Sequence, residues 1–338
     1  MLKFNCIEIP NTTYRPLPEK KQIINSNIPL IEQLHSSKYI KERQLGGNIS
    51  SFNFTREAFT KKNWDENTIR ARGLFVNVVT GEIVARSYEK FFNYGERPET
   101  QLSSLKQNIK FPVSVYEKYN GYLGIVGYNR EKNDLFVCTK ATNESDYVEW
   151  FEDQLYKTHT SQIKHILKDR NLSLVFEVID PKNDPHIIKH DEPKLVLLDA
   201  ICRTEKFEKV EYKELKTISS HLKFECKQQP YSFASWDYFE KFLNDVQNDN
   251  SENPNFPHEG FVVEDYEGFQ FKLKTPYYNT WKRMRGALER LQKGQPHMIR
   301  TGSFQTPLEN KFYGFLKERD RSYLQDRNII QLRDEFYE

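Results

Sequence analysis

The chain has 338 residues, with 50 Lys and Arg against 48 Asp and Glu, a formal charge of +2, and 37% hydrophobic and 14% aromatic content. A mean hydropathy of −0.78 and the absence of any apolar run near the ~18 residues needed to span a bilayer exclude an integral helical membrane protein. The near-zero net charge argues against a chain that binds polyanions over its whole surface. The first residues, MLKFNCIEIPNTTYRP, carry neither the apolar core of a secretory signal nor an Arg-rich amphipathic leader, so a cytoplasmic location is expected. Cys6, Cys138, Cys202 and Cys226 lack CxxC spacing, which argues against structural zinc or a disulfide framework. His186 and His190 share a segment rich in Pro and Asp and read as loop histidines rather than a metal pair.

In chain order, residues 20–37 suggest a helix broken near Pro29, and residues 48–54 a strand. Gly73–Val79, a Thr80-Gly81 turn and Glu82–Arg86 form a hairpin pattern. Val113, Val115 and Tyr116 lead into a tight loop that carries Lys118, and Leu123, Ile125 and Val126 lead out of it as a second strand. After a turn at Asn129–Asp134, Leu135–Lys140 reads as a strand. Ser145 or Asp146 caps a helix expected to run to about Asp169, with Trp150, Phe151, Leu155, Ile163, Ile166 and Leu167 on its apolar side. Leu172–Ile179 and Lys194–Ile201 are strands. Ser235 caps a short aromatic helix, and Gln247–Pro257 is a loop that leads to a hairpin, Gly260–Glu264 and Phe269–Lys274. Thr275-Pro276 reads as N-cap and first helical residue, and the remainder looks helical. The expected fold class is α+β: an antiparallel-sheet domain over residues 1–275, followed by a small all-helical domain over 276–338.

Several residues in this frame have chemical potential. A lysine on a loop between buried strands, as at Lys118, is placed to act as a nucleophile. Glu177 lies mid-strand and Glu259 at a strand mouth, where a carboxylate is costly unless a cation or donor meets it. Lys272 and Lys274 alternate with Phe271 and Leu273, so both amines share one face of a strand. Between 272 and 300, eight basic residues (Lys272, Lys274, Lys282, Arg283, Arg285, Arg290, Lys293 and Arg300) stand against Glu289 alone. That stripe would suit a phosphate backbone, or it is simply a solvated helix face. Trp281, Met284, Leu288 and Leu291 give the same helix an apolar packing stripe.

The set Lys118-x-Asn120-Gly121, Glu177, Glu259-Gly260-x-Val and Lys272-x-Lys274 resembles, in order, motifs I, III, IV and V of the covalent nucleotidyltransferase superfamily. Ala71-Arg72-Gly-Leu-Phe and Glu89-Lys90-Phe-Phe92-Asn93 look like signature blocks of the bacteriophage RNA ligase 1 family and of the ligase module of fungal tRNA ligases. Thr139-Lys140-Ala is similar to a lysine-bearing strand there, and the match runs from about residue 50 to 282. The resemblance implies an ATP-grasp-like ligase fold that joins RNA 3′-hydroxyl and 5′-phosphate ends using ATP and Mg²⁺ (or Mn²⁺). Lys118 would form a lysyl-adenylate, assisted by Lys272 and Lys274. Arg72, Lys90, Phe92, Glu117, Gly121, Lys140, Glu177 and Gly260 would contact ATP, with Glu177 on the ribose. Glu259 would anchor the metal, joined through water by Asn120, and Lys282, Arg283 and Arg285 would contact RNA.

The chemistry fits those residue types. An amine with a pKa of about 10.4 is neutral in about one molecule per thousand at pH 7.4, and lowering it to about 8 would contribute roughly 3 kcal/mol. Charge gathering on the α-phosphate and pyrophosphate calls for lysines, arginine and a divalent ion. Phage enzymes carry Asp where this chain has Asn120, whereas the fungal ligases share the Asn; an amide adds no negative charge to a hydrated metal. The expected partners are RNA, including cleaved tRNA, and separate end-healing enzymes (kinase, phosphatase or phosphodiesterase); no membrane partner is expected, and the expected state is a monomer. DNA ligase and capping enzyme are the enzymatic alternatives, though both normally carry an OB-fold after motif V. A non-catalytic RNA-binding protein on a ligase scaffold is the alternative of another class.

Overall fold

The computed structural model describes residues 28–338. The chain opens with α1 (Ile28–His35), β1 (Ile40–Gln44), β2 (Ile49–Phe54), α2 (Arg56–Thr60), α3 (Glu66–Arg70), β3 (Leu74–Asn77) and β4 (Ile83–Arg86). There follow β5 (Phe92–Asn93), α4 (Leu102–Asn108), β6 (Val113–Lys118), β7 (Tyr122–Asn129), β8 (Asp134–Thr139), α5 (Asp146–Leu155), α6 (Thr160–Arg170) and β9 (Leu172–Ile179). Next are β10 (Lys194–Cys202), α7 (Tyr212–Leu222), β11 (Glu225–Cys226), β12 (Tyr231–Phe233), α8 (Trp236–Gln247), β13 (Gly260–Glu264) and β14 (Gln270–Lys274). The last elements are α9 (Pro276–Gln292), α10 (Pro307–Lys317), α11 (Arg321–Gln325) and α12 (Ile329–Tyr337). No helix among the described residues is long and apolar enough to cross a membrane.

Two compact units interleave along the chain. The first comprises residues up to Phe91 with Tyr122–Val178 and Lys194–Lys227; the second comprises Phe92–Gly121, Ile179–Pro193 and Gln228–Glu338. In the first unit, β1-β2-β3-β4 form one sheet and β11-β10-β9-β7-β8 another. β9 is buried along its full length, so it reads as a near-continuous apolar run broken only by Ser173 and Glu177. Helices α5, α6 and α7 cover this sheet through Phe151, Leu155, Ile163, Leu167, Leu215 and Ile218. The two sheets pack through Phe75, Val84, Ile125 and Phe136. At their crossing, a Cβ on Gly127 would stand 2.1 Å from the Val84 carbonyl oxygen, so only glycine fits there.

The second unit is built on the sheet β12-β6-β13-β14-β5. Phe233, Phe239, Phe242, Phe261 and Phe271 form its core with Val113 and Val115, placing α4 and α8 against the sheet. Beyond β14, Thr275 caps α9 by accepting from Tyr278 N at 3.1 Å, with Pro276 as first helical residue. Trp281, Met284 and Leu288 of α9 pack with Phe312, Leu316, Leu324 and Leu332, and Ile187 from the middle segment joins this core.

The α+β reading with mainly antiparallel strands holds; β5–β14 and β10–β11 are parallel, which the patterning did not anticipate. The single helix expected over 145–169 is two. Thr158 and His159 stand where an apolar residue would continue the buried stripe, and Thr158 Oγ1 donates to the Leu155 carbonyl at 2.5 Å, ending α5. Ser145 and Ser235 occupy N-cap positions without a side-chain cap bond. The helix expected over 20–37 lies partly outside the described residues. Within them Pro29 lies in the first turn of α1 rather than breaking it, because a proline there forfeits no intrahelical bond. Cys6 lies outside the described residues.

Candidate active site

The register of the second unit's sheet brings three chemical groups to one rung. Lys118 is the last residue of β6 and lies opposite Gly260, which on its other side lies opposite Lys274 at the end of β14. Phe271 and Leu273 enter the core, leaving Lys272 and Lys274 on the opposite face. Glu259, immediately before β13, is 4% exposed. Its Oε1 meets Lys118 Nζ at 2.9 Å and Lys274 Nζ at 3.3 Å, and its Oε2 accepts from Asn120 Nδ2 at 2.7 Å. Burial opposes ionisation of Glu259, yet the two ammonium groups and the Asn120 amide hold its carboxyl below the ordinary value. Lys274 is pushed down, chiefly by burial, against the pull of Glu259; its amine also lies 4.5 Å from the Tyr278 ring centroid.

Gly260 has φ +139°, and a Cβ there would stand 2.1 Å from the Leu273 carbonyl oxygen. Within this unit, the close approach it permits is therefore to β14. Glu117 donates its N–H to the Gln228 carbonyl at 2.9 Å, and Gly121 lies in the bend after β6. Phe92 is buried in β5, 5.2 Å beneath the Arg97 guanidinium.

The first unit gathers Arg72, Lys140 and Glu177. Arg72 Nη1 donates to the Tyr88 carbonyl at 3.2 Å and the Ser87 hydroxyl at 3.4 Å. Burial lowers its pKa, while the charge of Glu177 works the other way. Lys140 is likewise lowered, first by burial and then by the like charge of Arg72, and its carbonyl accepts from Gly73 N at 3.1 Å. Lys90 donates to the Phe91 carbonyl at 3.1 Å and lies 5.3 Å from the Trp64 ring centroid.

The expected RNA-contact residues lie on α9. Lys282, Arg283, Arg290, Arg300, Ser303 and Phe304 line a cavity of about 190 Å³. Arg283 also pairs through Nε with the buried Glu309, and Arg285 pairs with Glu289 at 3.3 Å.

Residues 70–278, more than half of the chain, match the model of a family described as RNA ligase, of the T4 ligase 1 type. The chain belongs to this RNA ligase family. Among curated relatives, the tRNA ligase of Candida albicans is 24% identical over 79% of this chain, and tRNA ligase 1 of Schizosaccharomyces pombe is 25% identical over the same share. The chain spans 38% of the length of each of these two proteins. In three dimensions, an archaeal ATP-dependent RNA ligase matches with a TM-score of 0.56 and 12% identity over 91% of this chain and 80% of that one. A putative ATP-dependent DNA ligase from Aquifex aeolicus matches at 0.53 and 13% identity, over 91% and 78%. At such identities these two share the fold.

In this RNA ligase family member, sequence patterning does not reveal Ile187, Ile188 or Arg333, which turn out to support Asn120. Asn120 Oδ1 accepts from the N–H groups of Ile187 and Ile188 at 2.9 and 3.0 Å, so its two lone pairs are engaged. An amide beside the lysine was the one available signal: it can accept on one side and donate to a carboxylate on the other, which an aspartate cannot. The described residues hold no group of three or more His, Cys, Asp or Glu able to cage a metal. A single buried carboxylate such as Glu259 fits a Mg²⁺-like ion that keeps waters and takes phosphate oxygens as its other ligands.

Proposed function

We infer that the chain is an ATP-dependent RNA ligase that works through a lysyl-adenylate on Lys118. The observation that carries this reading is the rung Lys118–Glu259–Lys274 in a chain of the RNA ligase family. In the first step the neutral Lys118 Nζ bonds to the α-phosphorus of ATP. The bond from that phosphorus to the bridging oxygen breaks, pyrophosphate leaves, and Nζ gives up a proton. An RNA 5′-phosphate oxygen then displaces the lysine to form an RNA-adenylate. Attack by a 3′-hydroxyl expels AMP and leaves a phosphodiester.

Before attack, Lys118 Nζ is paired with the Glu259 carboxylate at 2.9 Å. Glu259 would hold the divalent cation, whose charge would weigh against the ammonium form of Lys118. Bound there, the ion would offset the charge of the phosphates. Lys272 and Lys274 face the same side as this carboxylate and would stabilise the α-phosphate. Arg72, Lys90 and Lys140 would hold the remaining phosphates, Glu177 the ribose, and Phe92, Glu117, Gly121 and Gly260 would shape the nucleotide site.

Residues 276–338 are proposed as an RNA-specificity module. The cavity lined by Lys282, Arg283, Arg290 and Arg300 has the charge for phosphates, and Phe304 supplies a ring for a base. The substrate class is RNA with 5′-phosphate and 3′-hydroxyl ends, such as cleaved tRNA, presented to a cytoplasmic monomer by separate end-healing enzymes.

The deciding experiment is intact mass after incubation with ATP and Mg²⁺ or Mn²⁺. A gain of one adenylate in the wild type, absent in Lys118→Ala, is the expected result. No gain with either ion sinks the ligase reading and leaves an RNA-binding scaffold. Labelling by GTP in place of ATP would point to capping, and sealing only of nicked DNA to a DNA ligase.

A further inference from the structure

The carboxylate that faces Lys118 is steadied from outside its own sheet. Asn120 spans two surroundings: its Nδ2 donates to Glu259 and its Oδ1 accepts from the Ile187 and Ile188 amides. The Ile187 carbonyl in turn accepts from Arg333 Nη1 at 2.9 Å. Arg333 lies on α12, is 6% exposed, and has its guanidinium carbon 5.5 Å from the Trp281 ring centroid. A carboxylate oxygen of the adjacent Asp334 stands 3.7 Å from its Nε. A guanidinium buried at that cost ordinarily answers a close carboxylate; here its 2.9 Å bond goes to a peptide carbonyl, with the Tyr277 side chain as a further partner.

The segment that carries this peptide has little regular structure. It is fixed at one end by Asp180, whose Oδ1 accepts from Lys182 N and Asn183 N at 3.2 and 3.0 Å. At the other end, Ile187 is buried among Tyr278, Trp281 and Met284. A continuous polar chain therefore runs from α12 through Ile187 and Asn120 to Glu259 and Lys118, all within the second unit.

We propose that Arg333 is a positioning residue for adenylation: by holding the Ile187–Ile188 peptide it fixes Asn120, and through Asn120 the carboxylate that sets the Lys118 amine on its rung. The inference rests on Lys118 being the adenylate acceptor. It also joins the C-terminal helices to the chemistry, so that they act on the first step as well as on substrate choice.

The test follows adenylate mass gain with time at saturating ATP and Mg²⁺. Arg333→Met keeps an apolar stem against Trp281 and loses the donor. Its rate is expected to fall by about tenfold to a hundredfold, the usual cost of a small misplacement at a reacting group. The ATP concentration giving half the maximal rate should stay within about twofold, since the hydrogen bond acts on the reacting geometry rather than on ground-state binding. Arg333→Lys, whose ammonium can still reach the carbonyl, should restore most of the rate.

Hydrogen exchange without nucleotide gives a readout apart from activity: Arg333→Met and Asn120→Leu should both speed exchange at the Ile187 and Ile188 amides. A wild-type rate in Arg333→Met overturns the proposal. So does a change confined to ATP affinity, or an Arg333→Lys variant no faster than Arg333→Met. Should Arg333→Met not fold, Arg333→Gln takes its place with the same rate and exchange readouts, and unchanged Ile187 and Ile188 protection in Asn120→Leu overturns the proposal. A wild-type chain that takes no adenylate sinks the ligase reading itself, a result no Arg333 variant can imitate.

Discussion

Among the described residues, two buried carboxylates meet two lysines each. Glu259 faces Lys118 and Lys274 on the rung described above. Asp199 on β10 is fully buried, with Lys227 Nζ at 2.7 Å, Lys209 Nζ at 3.6 Å and the Tyr88 hydroxyl at 2.6 Å. Tyr88 also offers its carbonyl to Arg72, so Asp199 anchors the strand exit from which Arg72 is held. Burial works against ionisation of Asp199, yet Lys209 and Lys227 bring its pKa below the ordinary 3.8. The folded state therefore resists protonating it. The stability contributed is complete above that ordinary value and is lost as pH falls through the lower folded value. Urea midpoints measured from about pH 5 down to about pH 2 should fall steeply in the wild type and less steeply in Asp199→Asn. At pH 7 the same variant, with no carboxylate for Lys227 and Tyr88 to meet, should be less stable by about 3 kcal/mol.

At the scale of elements, glycine positions separate what the backbone requires from what it tolerates. Gly260→Ala drives a Cβ into the Leu273 carbonyl at φ +139°. We expect a loss of more than about 2 kcal/mol in urea unfolding, with slower adenylation as the Lys118–Lys274 rung shifts. Gly286→Ala on α9 meets nothing within 4 Å and should stabilise by about 0.8 kcal/mol. The same contrast shows what was legible in the sequence. The hairpins of β3–β4 and β13–β14 and the buried strand β9 announce themselves by apolar runs and turn residues. Edge strand β1 has the sequence IKERQ and a mostly exposed face, so no alternation marks it. β5 and β11 are two residues long and exist only because a neighbouring strand pairs with them. Lys118 and Glu259 stood out as a nucleophile candidate and an awkward carboxylate. Arg333 did not, because its partner is a backbone carbonyl 146 residues away, and nothing local signals such a bond.

For the whole molecule, a net charge of +2 hides a basic helix within a balanced chain, so RNA affinity should depend on salt through a small number of phosphates. Replacing Arg290 and Arg300 together by Met should weaken binding of a single-stranded RNA. It should also flatten the dependence on log salt by about 0.7 for each phosphate that the two arginines no longer neutralise. An unchanged slope would place the RNA elsewhere. The sheet order β12-β6-β13 also bears on how the molecule is made. β6, which carries Lys118, takes its neighbours from β12 at Tyr231–Phe233 and β13 at Gly260–Glu264. On a ribosome adding about 5–20 residues each second, both edges of that strand wait on the order of ten seconds for their partners. Throughout that interval it is an open edge of the kind that recruits stray strands, and its lysine has no rung on which to react. On the proposed mechanism, chains that stop short of β14 lack the Lys118–Glu259–Lys274 rung and should take up no adenylate.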